Sequence, residues 1–304
     1  MEKIIEVSGL VKSYGKVAAV RGIDFYAETG KLFAFLGPNG AGKSTTIDIL
    51  VTLLAPDGGS VMINGHQLGK DDVVIRNEIG VVFQDSLLDN FLTVKENLYM
   101  RAGFYGITGE KLHESVKRAV ETTGVSEFLD RPYGKLSGGQ RRRSDIARAL
   151  VHTPKILFLD EPTTGLDPQT RKNIWATIRD LQQQNGTTVF LTTHYMEEAA
   201  DADYICVIDN GLIAAKGSPT ELKHQYSSDL LKLQTNNHDK LVEILGTLHT
   251  EFNCIHDIFT IKLKSTVDAV PIVTVCKDIL TNVEILNGTM DDAFIGITGK
   301  EIRE

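Results

Sequence analysis

The chain has 304 residues, a formal net charge of −8, 42% hydrophobic residues and 24% charged ones. At about 150 residues per domain that length points to roughly two domains, and the apolar content excludes global disorder. The acidic balance argues against a dedicated nucleic-acid binder, whose phosphate contacts need a basic field.

Three cysteines, Cys206, Cys254 and Cys276, lie far apart with no CxxC pair. That spacing carries no disulfide framework and no zinc signature, and a reducing compartment is the simplest reading. The opening Met1-Glu2-Lys3-Ile4-Ile5-Glu6-Val7 lacks the basic-then-apolar layout of a signal peptide. No apolar run approaches the ~18 residues of a spanning helix. Any membrane role is therefore expected to run through a separate partner chain.

In chain order, Ile4–Val7 and Val17–Val20 read as strands of a small antiparallel sheet, with turn glycines at Gly15, Gly22 and Gly30. Lys31–Leu36 is an apolar strand buried on both faces, followed by a Gly-rich turn and a helix over Ser44–Leu50. Val61–Ile63 and Ile79–Phe83 are further strands. From about 93 to 148 the apolar spacing turns helical, which predicts a helical subdomain inserted into a sheet. Leu157–Leu159 and Thr188–Leu191 return to buried strands around a helix over Pro168–Gln184. This alternation predicts an α/β fold with a parallel core sheet covered on both faces. Beyond Gly217-Ser218-Pro219 the pattern changes. Strands at Leu230–Leu233, Ile258–Leu263 and Val283–Leu286, with helices at Asp239–Leu248 and Asp268–Leu280, predict a small α+β domain in βαβαβ order, of ferredoxin-like type. The domain boundaries read as 1–223 and 224–304.

The strongest chemical signal is Gly37-Pro38-Asn39-Gly40-Ala41-Gly42-Lys43-Ser44-Thr45, which fits G-x-x-x-x-G-K-[ST] between a buried strand and a helix. Glycines let the backbone approach phosphate oxygens. Successive N–H groups form an anion nest at a helix N-terminus, where the dipole favours negative charge. Lys43 adds a charge for the β- and γ-phosphates and Ser44 a ligand for Mg²⁺. Ile156-Leu157-Phe158-Leu159-Asp160-Glu161 is a strand ending in two carboxylates, Asp160 suited to Mg²⁺ and Glu161 to polarising an attacking water. Leu136-Ser137-Gly138-Gly139-Gln140 precedes a helix and reads either as a plain N-cap or as a second phosphate site serving a neighbouring chain's nucleotide. Arg141-Arg142-Arg143 reads as a solvated face or as intrahelical pairs.

Together these segments resemble the nucleotide-binding subunit of an ABC transporter over about residues 1–220. GPNGAGKST is similar to the Walker A loop of that P-loop NTPase family, LSGGQ to its signature, and ILFLDE to Walker B. Gln84 falls at the Q-loop, Gly165-Leu166-Asp167 at the D-loop, and His194 at the switch histidine. Tyr14 falls at the aromatic that stacks on adenine. Ser144 departs from the apolar residue common in relatives, and Phe91 lies where they often carry an acid. The segments Met290–Phe294 and Thr298–Glu301 resemble the tail of drug-exporter ATPases of the daunorubicin-resistance type.

The resemblance implies ATP and Mg²⁺ as ligands, with Ser44, Gln84 and Asp160 on the metal and Glu161, His194 and Gln84 in catalysis. It implies an antiparallel β subdomain beside the parallel core. It also implies a sandwich dimer, homodimeric or with a paralogue, in which Ser137–Gln140 and Asp167 act across the interface, with transmembrane permease subunits as partners. The place of action would be the cytoplasmic face of the membrane. Export of drug-like or lipophilic compounds is the expected role; an importer subunit, or a soluble ABC ATPase uncoupled from transport, are the alternatives.

Overall fold

A computed structural model describes residues 2–299 and divides into two compact units, Met1–Ser218 and Pro219–Glu304.

In the first unit a six-stranded sheet runs in the order Leu212–Gly217, Tyr204–Asp209, Leu32–Leu36, Thr188–Thr193, Ile156–Asp160, Ile79–Val82. Its pairings are parallel except at the Leu212–Gly217 edge. The central strands are buried at every position, as apolar runs covered on both faces must be. Phe25, Phe33, Phe35, Phe158 and Phe190 interlock in this core with ring centroids 5.0–6.1 Å apart. A second, antiparallel sheet is formed by Lys3–Tyr14, Val17–Glu28, Gly58–Ile63 and His66–Gln67. Its strands are longer than their apolar centres indicated, and glycines at positive φ such as Gly9 and Gly22 let them bend.

The predicted helical insertion is present as Val94–Phe104, Gly109–Thr123 and Gly138–Leu150. These helices have their own core, including Leu98, Ala102, Val116, Val120, Phe128 and Ala147. Thr93 starts the first with a capping box, accepting from the Glu96 N–H while the Glu96 carboxylate accepts from the Thr93 N–H.

The second unit differs from the expected βαβαβ order by one strand. Phe252–Ile255 forms a hairpin with Ile258–Leu263, so the order is βαββαβ. The four strands line up as Phe252–Ile255, Ile258–Leu263, Asp229–Thr235, Leu280–Leu286, all antiparallel, the ferredoxin-like arrangement that was expected. The helices are His238–Thr247 and Ala269–Cys276, and Leu280 opens a strand rather than closing a helix. The division falls after Ser218, ahead of the predicted 223/224 boundary. The helix Pro219–Tyr226 packs on the closing helix Met290–Thr298 within this unit. Gly296 permits that approach, because a Cβ there would lie 2.3 Å from the Tyr226 carbonyl oxygen. Lys300 and Glu301 of the expected tail motif lie outside the described residues.

Candidate functional site

Four adjacent parallel strands end side by side, and the site stands on their carboxyl ends, where open α/β sheets place their ligands. Leu36 leads into Gly37, Thr193 into His194, Asp160 into Glu161, and Val82 to Gln84 two residues on.

The Gly37–Thr45 loop has little freedom to be anything else. Gly42 sits at φ +109°, and a Cβ there would come 2.4 Å from the Ala19 carbonyl oxygen. At Gly37 a Cβ would come 2.3 Å from the Ile208 carbonyl oxygen. The loop opens the helix Lys43–Leu50, which has no side-chain cap and no acid in its first turn. Its first-turn N–H groups have no intrahelical acceptor, so the loop fits a phosphate chain. Pro38 is half-buried and Ala41 buried, while Asn39, Gly40 and Ser44 are exposed and Thr45 is half-buried. Tyr14 is half exposed at the end of its strand, opposite Val17; the same hairpin supplies Ala19.

Lys43 is 4% exposed, and its ammonium donates to the Gly37 and Pro38 carbonyls at 2.8 and 3.2 Å. It also lies 3.4 Å from Glu161 Oε1. Burial lowers the Lys43 pKa, opposed by Glu161 and Asp160. Burial also pushes Glu161 upward, but Lys43 and then His194 outweigh it and hold the carboxyl below its ordinary range. His194 Nδ1 stands 3.2 Å from Glu161 Oε2, with no aligned hydrogen bond between them. Asp160, 7% exposed, is pushed the other way, above its ordinary value, by burial and by Glu161 next to it. The Thr192 hydroxyl donates to Asp160 Oδ1 at 2.5 Å and accepts from the Glu161 N–H at 3.1 Å. Glu161 itself lies at φ +44°, left-handed backbone that a non-glycine residue adopts only under constraint.

The structure therefore gathers Gly37–Thr45, Asp160, Glu161 and His194 in one place. Gln84 is exposed beyond the edge strand beside Ile156–Asp160. The Ser137–Gln140 turn stands apart: among the described residues no hydrogen bond or ion pair joins it to Lys43. Ser137 caps the helix Gly138–Leu150, accepting from the Gln140 N–H at 3.3 Å while Gln140 Oε1 accepts from the Ser137 N–H at 3.1 Å. Gly139 is pressed against the D-loop helix, since a Cβ would meet Thr170 Cγ2 at 2.4 Å, and Gly138 faces Leu166. Asp167 caps the helix Pro168–Asn185 through the Thr170 N–H and hydroxyl, which lower its pKa.

One sequence reading is overturned. Arg142 is not on a solvated face; it is 8% exposed and its guanidinium lies under Glu161, donating to main-chain carbonyls there. Spacing held the signal: Arg142, Ile146 and Ala149 share one helical stripe, and all three are buried. Sequence reasoning also missed Glu198, 2% exposed, which accepts from the Thr163 and Thr193 hydroxyls and braces the turn before His194. Asp145, which accepts from the Ser86 hydroxyl at 2.7 Å and the Tyr133 hydroxyl at 3.2 Å, was missed as well.

A family model described as ABC transporter matches residues 20–164. The daunorubicin/doxorubicin resistance ATP-binding protein DrrA of Streptomyces peucetius is 43% identical over 250 residues, 82% of this chain and 76% of the relative. The chain belongs to the ABC transporter family. The Nod factor export ATP-binding protein I of Ralstonia nicotianae is 35% identical over 311 residues, 99% of this chain and 95% of that protein. The ATP-binding cassette MJ0796, solved as a dimer in a post-hydrolysis state bound to ADP and Pi, superposes with a TM-score of 0.65 at 28% identity, covering 71% of this chain and 98% of that one. This chain is an ABC ATPase that binds and hydrolyses ATP. Among the described residues no helix is long and apolar enough to cross a membrane.

Proposed function

We propose that this ABC ATPase powers export of a drug-like or lipophilic compound through separate permease subunits, at the cytoplasmic face of the membrane, as a dimer of such chains. The observation that carries the catalytic reading is Glu161, whose carboxylate lies 3.4 Å from the Lys43 ammonium and 3.2 Å from His194. The relatives' names, daunorubicin/doxorubicin resistance and Nod factor export, support the direction of transport. The dimeric cassette with ADP and Pi supports the assembly.

The amides of Gly40–Thr45 take the triphosphate, Tyr14 stacks on adenine, and Lys43 leaves its loop carbonyls and Glu161 for the β- and γ-phosphate oxygens. Ser44 and Gln84, with Asp160 through water, offer the hard oxygen donors that suit Mg²⁺ alongside phosphate. Bound there, Mg²⁺ would neutralise charge on the β- and γ-oxygens. The partner subunit's Ser137 turn closes over the γ-phosphate, with Asp167 at the same interface. Glu161 orients water for in-line attack and His194 holds the γ-phosphate. The bond to the β-phosphate oxygen then breaks, ADP keeps the electron pair, and the dimer loses what held it shut.

The permease is assigned to the groove beside Gln84 between the helical insertion and the core. Leu53, Val73, Leu87 and Phe104 are exposed there beside the exposed Arg76. A groove of exposed apolar side chains beside a basic one suits a short amphipathic segment.

Replacing Glu161 tests the catalytic reading. Glu161→Gln retains ATP, hydrolyses it at least about 100-fold more slowly, and accumulates as an ATP-dependent dimer by size-exclusion chromatography and phosphate release. Turnover at the wild-type rate contradicts the assignment.

A further inference from the structure

The run Arg141-Arg142-Arg143 divides its labour. Arg141 donates to the Gly134 carbonyl and lies over the Tyr133 ring. Arg143 donates to the Gly124 carbonyl and lies over the Phe128 ring. Both therefore hold the helical insertion. Arg142, between them, points the other way. Its Nη2 donates to the Asp160 carbonyl at 3.1 Å and the Glu161 carbonyl at 2.9 Å. Its Nε donates to the Pro162 carbonyl and its Nη1 to the Phe83 carbonyl, each at 2.5 Å.

These acceptors are all main-chain oxygens, and they lie on two segments: the turn after Ile156–Asp160 and the residue before Gln84. A buried guanidinium that spends its donors on peptide carbonyls is fixing backbone shape. The shape it meets needs fixing, because Glu161 stands at φ +44°, and such residues persist only where their surroundings over-determine them. Thr192 holds the Glu161 peptide by its N–H; Arg142 holds it by its carbonyl.

We infer that Arg142 is a positioning residue for Glu161. It holds the turn that aims the Glu161 carboxylate and ties it, within one chain, to the helix that begins at Ser137. The inference rests on the assignment of Glu161 made under the proposed function. Arginine is needed because one planar fork reaches carbonyls on both segments at once. Lysine offers a point charge and glutamine a single amide.

The test is Arg142→Lys and Arg142→Gln in the full-length chain, with ATP affinity and turnover measured separately, and Arg142→Gln repeated on the Glu161→Gln background. Either substitution alone lowers kcat at least about tenfold while the Kd for ATP stays within about twofold. The double variant still forms the ATP-dependent dimer, since both changes fall on the same step. Wild-type kcat in both single variants overturns the inference. So does a parallel loss of affinity, loss of the dimer in the double variant, or failure of both variants to fold, each of which makes Arg142 a general structural residue. Normal turnover by Glu161→Gln alone removes the proposed catalytic role of Glu161 itself, a result the Arg142 variants do not mimic.

Discussion

Gly42 shows how narrowly single residues are chosen around the phosphate loop. Its φ of +109° and the Ala19 carbonyl, 2.4 Å from where a Cβ would sit, exclude every side chain. Gly40, at φ +79°, has open space around it. Gly42→Ala therefore costs about 1–3 kcal/mol in backbone strain alone, with the clash added, and removes ATP binding. Urea unfolding and ATP titration check this, with Gly40→Ala as the milder comparison; an unchanged urea midpoint in Gly42→Ala contradicts it. Residues of this kind were legible in the sequence, because loop chemistry is local. Arg142 was not. A run of three arginines reads as solvated until the carbonyls that receive the middle one are known, and these lie 18 to 59 residues away.

Elements were legible where periodicity was long and illegible where a turn was unusual. The central strands, the phosphate-loop helix and the helical insertion follow the apolar pattern. The strand Phe252–Ile255 does not: it is short, three of its residues are exposed, and its turn is His256-Asp257. Both turn residues have positive φ, 46° and 65°, a primed hairpin turn that usually announces itself with Asn-Gly. The helical insertion carries a titration prediction. His152, behind Gly138–Leu150, accepts the Tyr105 ring in a stack at 3.8 Å and contacts the Ile79 carbonyl through Nε2 at 2.9 Å. Burial, with Arg101 and Arg148 nearby, lowers its pKa to about 4. The unfolded chain therefore takes up a proton near pH 6.5, and the folded chain only near pH 4. Stability is complete above pH 6.5 and falls by up to about 3 kcal/mol on the way down to pH 4. His152→Gln keeps a donor for Ile79 and flattens that part of the profile in urea unfolding at pH 4–7. An equally steep profile in the variant places the acid sensitivity elsewhere.

At the scale of the whole molecule, among the described residues no hydrogen bond or ion pair joins the phosphate loop to the signature turn, and the dimer proposed for the chain pairs them by exchange. Mixing Ser137→Ala chains with Lys43→Ala chains produces heterodimers in which one of the two composite sites is intact. The mixture therefore hydrolyses ATP faster than either variant alone, up to about a quarter of the wild-type rate when equal amounts assort at random and the two sites act independently. A mixture no faster than its components contradicts the exchange. The fold's division into two units was visible as a change of pattern near Gly217. The closing contact between Pro219–Tyr226 and Met290–Thr298 was not, because it joins segments with most of the second unit between them. The chain carries a net charge of −8 and yet receives a polyanion. The buried Lys43 ammonium already rests on Glu161 at 3.4 Å. Under the role proposed for Lys43, an arriving triphosphate competes for a cation that already has an internal counter-ion. The affinity that an ATP titration reads is then weaker than the cradle alone gives, by whatever it takes to separate that pair. Under the role proposed for Glu161, displacing its carboxylate also frees it for water, so admission of the nucleotide and arming of the base are one event.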